Sequence, residues 1–186
     1  MKTVIAVMGL AVLSVGPAGC APRVAITPKM DHNQLDSLAL LHYMAGQPAV
    51  TNDEACRAVL VLVDGAETPG TFDARRQALE TRGMVRGEWN LQASDAVDRG
   101  TLAYMIFKGC GVRQGMNTWL SQGTGLGDRR YALRRCIQED IMPYGLPYQI
   151  PTGGEVVRAL SRADDVLAKK GAYEDKVISS PADVGP

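Results

Sequence analysis

Thr51-Asn52-Asp53-Glu54-Ala55-Cys56-Arg57-Ala58-Val59-Leu60-Val61-Leu62-Val63 is the stretch on which the fold reading turns. A threonine followed three residues later by glutamate forms a capping box. Its hydroxyl and carboxylate each satisfy a backbone N–H that the first helical turn leaves unpaired. From Ala55 to Val63 only Arg57 interrupts the apolar run. A helix so apolar belongs at the centre of a domain, with a buried strand as the competing reading. Gly65 supplies the stop.

Working outward, every other periodic segment also reads as a helix. A first helix is expected from about Asn33 to Ala45, with Leu35, Leu38 and His42 along one side, ended by Gly46 and Pro48. A third covers Phe72 to Arg82 and stops at Gly83. A fourth starts after Asp98 and carries Leu102, Ala103, Met105 and Ile106 to Gly109. Glycines at 111, 115, 123, 125 and 127 mark 111–127 as a linker. A fifth helix spans about Asp128 to Glu139. A sixth starts at Thr152, presents Val156, Val157, Leu160, Ala163 and Leu167, and is closed by Gly171. The expectation is an all-α fold, with a helical domain over 33–170 and a flexible tail over 171–186.

The chain also repeats itself. Ala78–Val85 and Arg135–Met142 are both helix ends followed by an apolar pair. Each leads into a loop with an aromatic residue, Trp89 in one, Tyr144 and Tyr148 in the other. Each loop ends in a capped helix, at Asp98-Arg99-Gly100-Thr101 and at Thr152-Gly153-Gly154-Glu155. The separation is about 54–57 residues, and one such helix–loop–helix unit is too small to bury its own apolar face. Two repeats are expected, about 51–110 and 128–170, joined by the 111–127 linker.

This layout resembles the S-layer homology module, whose units pair two helices and open the second with a Thr-Arg-Ala-Glu-like sequence. In that family the arginine, with an aromatic residue of the preceding loop, helps hold an anionic cell-wall polymer. The resemblance implies ligand-binding roles for Arg99 and Trp89. The first copy keeps the arginine as Arg99. The second keeps the threonine and glutamate, as Thr152 and Glu155, and has Gly153 where the arginine would stand. Without a ligand, Arg99 sits at the positive end of its helix and wants a carboxylate, for which Glu88 and Asp95 are the candidates.

Composition narrows the function classes. Twenty basic and 20 acidic residues give no net charge, which removes a nucleic-acid partner. The two histidines, His32 and His42, exclude a His-rich metal site. No nucleophile is grouped with a base, so neither an enzyme nor a cofactor is expected. Hydrophobic residues at 46% with 22% charged argue for a folded domain rather than a disordered chain.

The first twenty residues speak to location. Lys2, an apolar run over Val4–Val15 and small residues before Cys20 describe a secretory signal rather than a membrane span. Ala18-Gly19-Cys20 resembles the lipobox of bacterial lipoproteins, although Pro17 stands where leucine is usual. The resemblance implies lipid attachment at Cys20, a signal peptide over 1–19 and a tether over 20–32. It places the mature protein in the cell envelope, on the outer membrane facing the periplasm, since Ala21 is not the aspartate of inner-membrane retention. An ordinary signal peptide is the alternative. In that oxidising compartment Cys56, Cys110 and Cys136 allow one disulfide and one free thiol, the pairing open.

Smaller features complete the reading. Arg129, Arg130, Arg134 and Arg135 form a basic patch, with 130 and 134 on one helix face, where an anionic surface could dock. Gly123–Gly127 looks like a phosphate loop but has no lysine, and reads better as linker. Trp119 is a candidate partner anchor. The sequence thus points to a non-catalytic envelope lipoprotein that associates with peptidoglycan, an anionic wall polymer or another envelope protein. A protein-interaction scaffold without glycan affinity is the alternative, and an uncharacterised periplasmic enzyme comes last.

Overall fold

The computed structural model describes residues 23–65, 70–111 and 127–172. The expectations for the signal peptide, Cys20, Trp119, most of the linker and most of the tail lie outside these residues. Among them are six α-helices: α1 (Ser37–Ala45), α2 (Asn52–Asp64), α3 (Phe72–Thr81), α4 (Arg99–Gly109), α5 (Asp128–Gln138) and α6 (Gly153–Lys169). No strand is present among the described residues, only isolated bridges at Ala25–Asp95 and Thr51–Ala96. The protein is all-α.

Local chemistry explains where these helices begin. Thr51 and Glu54 form the capping box of α2, and Thr152 and Glu155 form that of α6. Asp98 caps α4 through the Thr101 N–H at 2.7 Å. Gly65 ends α2 in the left-handed region at φ 66°, where a side chain would cost energy. So the apolar run of Ala55–Val63 is helix, not strand.

Packing reveals three units rather than two. The capped helices α2, α4 and α6 meet at the centre of the molecule. Each is preceded in sequence by an outer helix, so α1–α2 is a unit as much as α3–α4 and α5–α6. Each outer helix packs against a neighbouring unit's central helix: α3 on α2, α5 on α4 and α1 on α6. The sequence comparison missed the first unit because its outer helix and loop are shorter.

Backbone hydrogen bonds follow the same order. The first N–H of α2, from Asn52, goes to the Asp95 carbonyl at 2.8 Å. The first of α4, from Arg99, goes to Gln149 at 2.9 Å, and the first of α6, from Gly153, goes to Gln47 at 3.0 Å. In each case a donor that the helix cannot satisfy itself is met by the loop of the next unit, the last being met by the first. At Gly153 the approach is so close that a Cβ would overlap the Met44 carbonyl. That is why glycine stands there.

The core joins all three units. Leu40 and Met44 of α1, Val59 and Leu60 of α2, Leu79 of α3, Leu102 and Ile106 of α4, Leu133 of α5 and Val156 of α6 are buried together. Burying each such side chain contributes about 1.5–3 kcal/mol. Helix α1 turns a different face inward than its spacing suggested, since Leu38 is 78% exposed and His42 is exposed. It also starts later, at the Asp36 cap, after a 3-10 turn over His32–Gln34.

One further expectation is corrected. The 20–32 segment is not a free tether where it is described, because Ile26 N–H donates to the Ser94 carbonyl at 2.8 Å and Ala96 N–H to Val24 at 2.7 Å. Arg57, the one interruption of the apolar run, is accommodated inside the domain. It is buried and donates to the carbonyls of His32 and of Leu35, the latter at 2.6 Å, tying the 3-10 turn to α2.

Candidate functional site

Asp98 and Arg129 anchor the site, because they join α4 to α5. Asp98 uses one carboxylate oxygen to cap α4 and the other to accept from the Arg129 guanidinium at 3.0 Å. Gly100 makes this proximity possible, since a Cβ there would stand 2.8 Å from the Arg129 Cβ. Arg129 then lies over the Trp89 ring, 4.3 Å from its centroid. Trp89 in turn meets Tyr104 edge to face at 5.0 Å. The result is a stack, Tyr104–Trp89–Arg129, running from the core to the surface.

This stack forms part of the wall of an open cleft of about 810 Å³. Arg23 and Val24 bound the cleft on one side and Tyr148 and Ile150 on another. Most of its charges are already matched. Arg129 pairs with Asp98, Arg86 with Asp128 and Glu88, and Arg23 approaches Asp95 at 3.9 Å. Arg130 and Arg134 are different. Both are exposed, one helical turn apart on α5, and neither makes an ion pair among the described residues. The lining balances as a whole, four arginines against Glu88, Asp95, Asp98 and Asp128, so these two guanidiniums form a local positive spot beside aromatic faces, a combination suited to phosphate or carboxylate groups on an apolar or sugar framework. Arg135 does not line the cleft and pairs with Glu139 at 3.1 Å.

Arg99 is not in this cleft. It is 4% exposed and its guanidinium pairs with Glu155, the capping-box carboxylate of α6. The same guanidinium donates to the carbonyls of Pro143 and Tyr144 at 3.4 and 3.5 Å. Gly145 lies directly over it, where a Cβ would come within 2.8 Å of Nη1. The partner is therefore neither Glu88 nor Asp95 but a glutamate 56 residues further on, out of reach of local reading. Glu155 is held below the usual glutamate range by the Thr152 backbone N–H first, with Arg99 adding to the effect against a burial penalty. Trp89 lines the cleft and Arg99, the first residue of α4, does not.

The three described cysteines form no disulfide. Cys56, Cys110 and Cys136 are free and buried. Burial pushes the thiols of Cys56 and Cys136 up to about 12 and that of Cys110 to about 11. The Cys136 thiol is directed at the Ala103 carbonyl at 3.4 Å and that of Cys110 at Ala163 at 3.7 Å. They behave as core side chains.

A second polar cluster lies between α2 and α3, and the sequence reading had assigned it no role. His32 Nε2 is 3.1 Å from Asp53 Oδ2, and Arg75 Nη1 is 2.6 Å from Asp53 Oδ1. Burial alone would raise the Asp53 carboxyl, but hydrogen bonds from His32 and Arg75 outweigh it and leave it lowered. Arg75 is 1% exposed, so the cluster is a joint between units. No group of three or more metal-ligating side chains occurs among the described residues. Nor is any described helix long and apolar enough to cross a membrane. No protein-family model matches the sequence, and no curated protein matches it either.

Proposed function

We propose that this chain is a non-catalytic, lipid-anchored protein of the cell envelope, whose helical domain docks through the α5 cleft onto an anionic component of that envelope. The observation that carries the reading is the pair Arg130 and Arg134, two exposed guanidiniums that make no ion pair among the described residues, on a wall shared with Trp89 and Tyr148. The lipobox-like Ala18-Gly19-Cys20 supports it from the sequence side, because acylation of Cys20 by two or more chains would anchor the protein stably. The ligand-binding role moves from Arg99, which is buried in an ion pair, to these two arginines.

The test is retention of the purified mature chain on an isolated cell-envelope fraction. Binding should weaken as salt rises and drop at least tenfold in the Arg130→Ala/Arg134→Ala double variant, with the fold intact by circular dichroism. Retention that ignores both salt and the two substitutions would favour the scaffold reading. No retention would sink the docking role.

A further inference from the structure

The chain leading toward Cys20 leaves the domain at a defined place. Residues 24–26 are fastened along the Ser94–Ala96 loop, and Arg23 and Val24 line the same cleft as Arg130, Arg134 and Tyr148. From Cys20 to Arg23 the chain has three peptide steps, at most about 10–11 Å when extended. Given an acylated Cys20, the reading on which this inference rests, the acyl chains begin within roughly one to two headgroup layers of the cleft mouth. The fastening of residues 24–26 turns an expected long leash into a short one, and a short leash fixes which face of the domain meets the bilayer.

That face has the chemistry of a membrane-surface contact. Arg130 and Arg134 supply cations without ion pairs among the described residues. The 143–149 loop carries Tyr144, Leu146 and Tyr148 at 86%, 67% and 60% exposure, and Val24, which lines the cleft with Tyr148, is 45% exposed. Tyrosine is favoured at the headgroup level, with its ring in the apolar boundary and its hydroxyl in water. The loop is held from beneath by Arg99 through the Pro143 and Tyr144 carbonyls, so presenting these side chains requires little additional ordering. We propose that the anionic component recognised by this domain is the lipid bilayer itself, met by Arg130, Arg134 and the Tyr144–Tyr148 loop.

The test uses the full mature chain with Cys20→Ser, which cannot be acylated, and vesicles of phosphatidylcholine with or without phosphatidylglycerol, read by co-sedimentation. Binding to the phosphatidylglycerol vesicles alone is expected. Arg130→Ala/Arg134→Ala should lower the partition coefficient roughly 25-fold, about fivefold for each basic residue lost near an anionic surface. Leu146→Ser with Tyr148→Ser should lower it several-fold at unchanged charge, whereas Arg158→Ala, an exposed arginine on α6, should leave it unaltered. Binding to purified wall but not to these vesicles would overturn this inference and leave the docking function standing. Failure to bind either would overturn both. An equal loss with Arg158→Ala would reduce the effect to net charge and overturn the assignment of the face.

Discussion

Glu155 serves two helices at once. One carboxylate oxygen accepts from the Thr152 N–H at 2.8 Å and so starts α6, while the other pairs with the Arg99 guanidinium of α4. A helix cap and an inter-unit ion pair therefore share one side chain, and loss of either partner is felt at both places.

Arg99→Ala should lower stability by about 2–3 kcal/mol, because it leaves the Pro143 and Tyr144 carbonyls with a poorer set of donors and removes a buried partner of Glu155. On a domain this size the melting temperature should fall by roughly 5–10 °C. Thermal unfolding followed by circular dichroism checks it. An unchanged melting temperature would return Arg99 to the list of candidate ligand residues.

The same carboxylate predicts an acid response. Its folded-state pKa is depressed, so its contribution is present above the usual glutamate range of roughly pH 4–5 and is lost as pH falls through the lower folded value. Stability measured against pH should decline on acidification, and Glu155→Gln should flatten that decline while lowering stability at neutral pH. A decline as steep in the variant as in the parent would place the titrating group elsewhere.

Gly153→Ala should be the most damaging single methyl addition in the domain. The new Cβ would overlap the Met44 carbonyl and push α1 off α6, costing about 2–3 kcal/mol or more. Its neighbour provides the comparison. A Cβ on Gly154 meets the Ala45 carbonyl at an ordinary 3.6 Å, so Gly154→Ala should be neutral or stabilising by up to about 1 kcal/mol. Equal melting temperatures for the two variants would contradict the close approach at 153.

The thiols give a chemical check. With pKa values near 11–12 and full burial, Cys56, Cys110 and Cys136 should not react with a soluble disulfide reagent in the native state. All three should react once the chain is unfolded in denaturant. A single reactive thiol after unfolding without reductant would instead reveal a disulfide.

Thr152→Ala should cost about 1 kcal/mol, the ordinary value for a lost cap, and lower the melting temperature by about 2–4 °C. Thr51→Ala should cost more, since Thr51 and Glu54 are each 2% exposed and the buried carboxylate loses its hydroxyl donor while keeping the residue-51 N–H.

How far the sequence could be read follows from the range of each interaction. Helix boundaries at Thr51, Gly65, Asp98 and Thr152 were legible because caps and glycine stops act over three or four residues. Trp89 and the basic face of α5 were visible as composition. What escaped was the pairing of distant positions. Arg99 finds Glu155, His32 finds Asp53, and Gly153 admits Met44, and no local pattern announces any of these. The glycine at 153, set against Arg99, looked like a missing ligand residue, when it is the point at which two backbones touch. The inward face of α1 was misjudged for a related reason, since its partner α6 is the last helix of the described chain.

The seating of α1 on α6, with the Gly153–Gln47 bond beside it, has a consequence for how the protein comes into being. In an open stack of repeats each unit needs only its neighbour, and assembly can spread stepwise from any point. Here the first described helix finds its main partner only when the last described one arrives. Leu40 and Met44 belong to a helix that also packs on α2, but they are fully covered only once α6 is in place. Such dependence on distant sequence slows assembly and makes it all-or-none. A chain cut before α6 would therefore lose the whole domain rather than its last third, which makes exposure to proteases the expected fate of every incomplete copy.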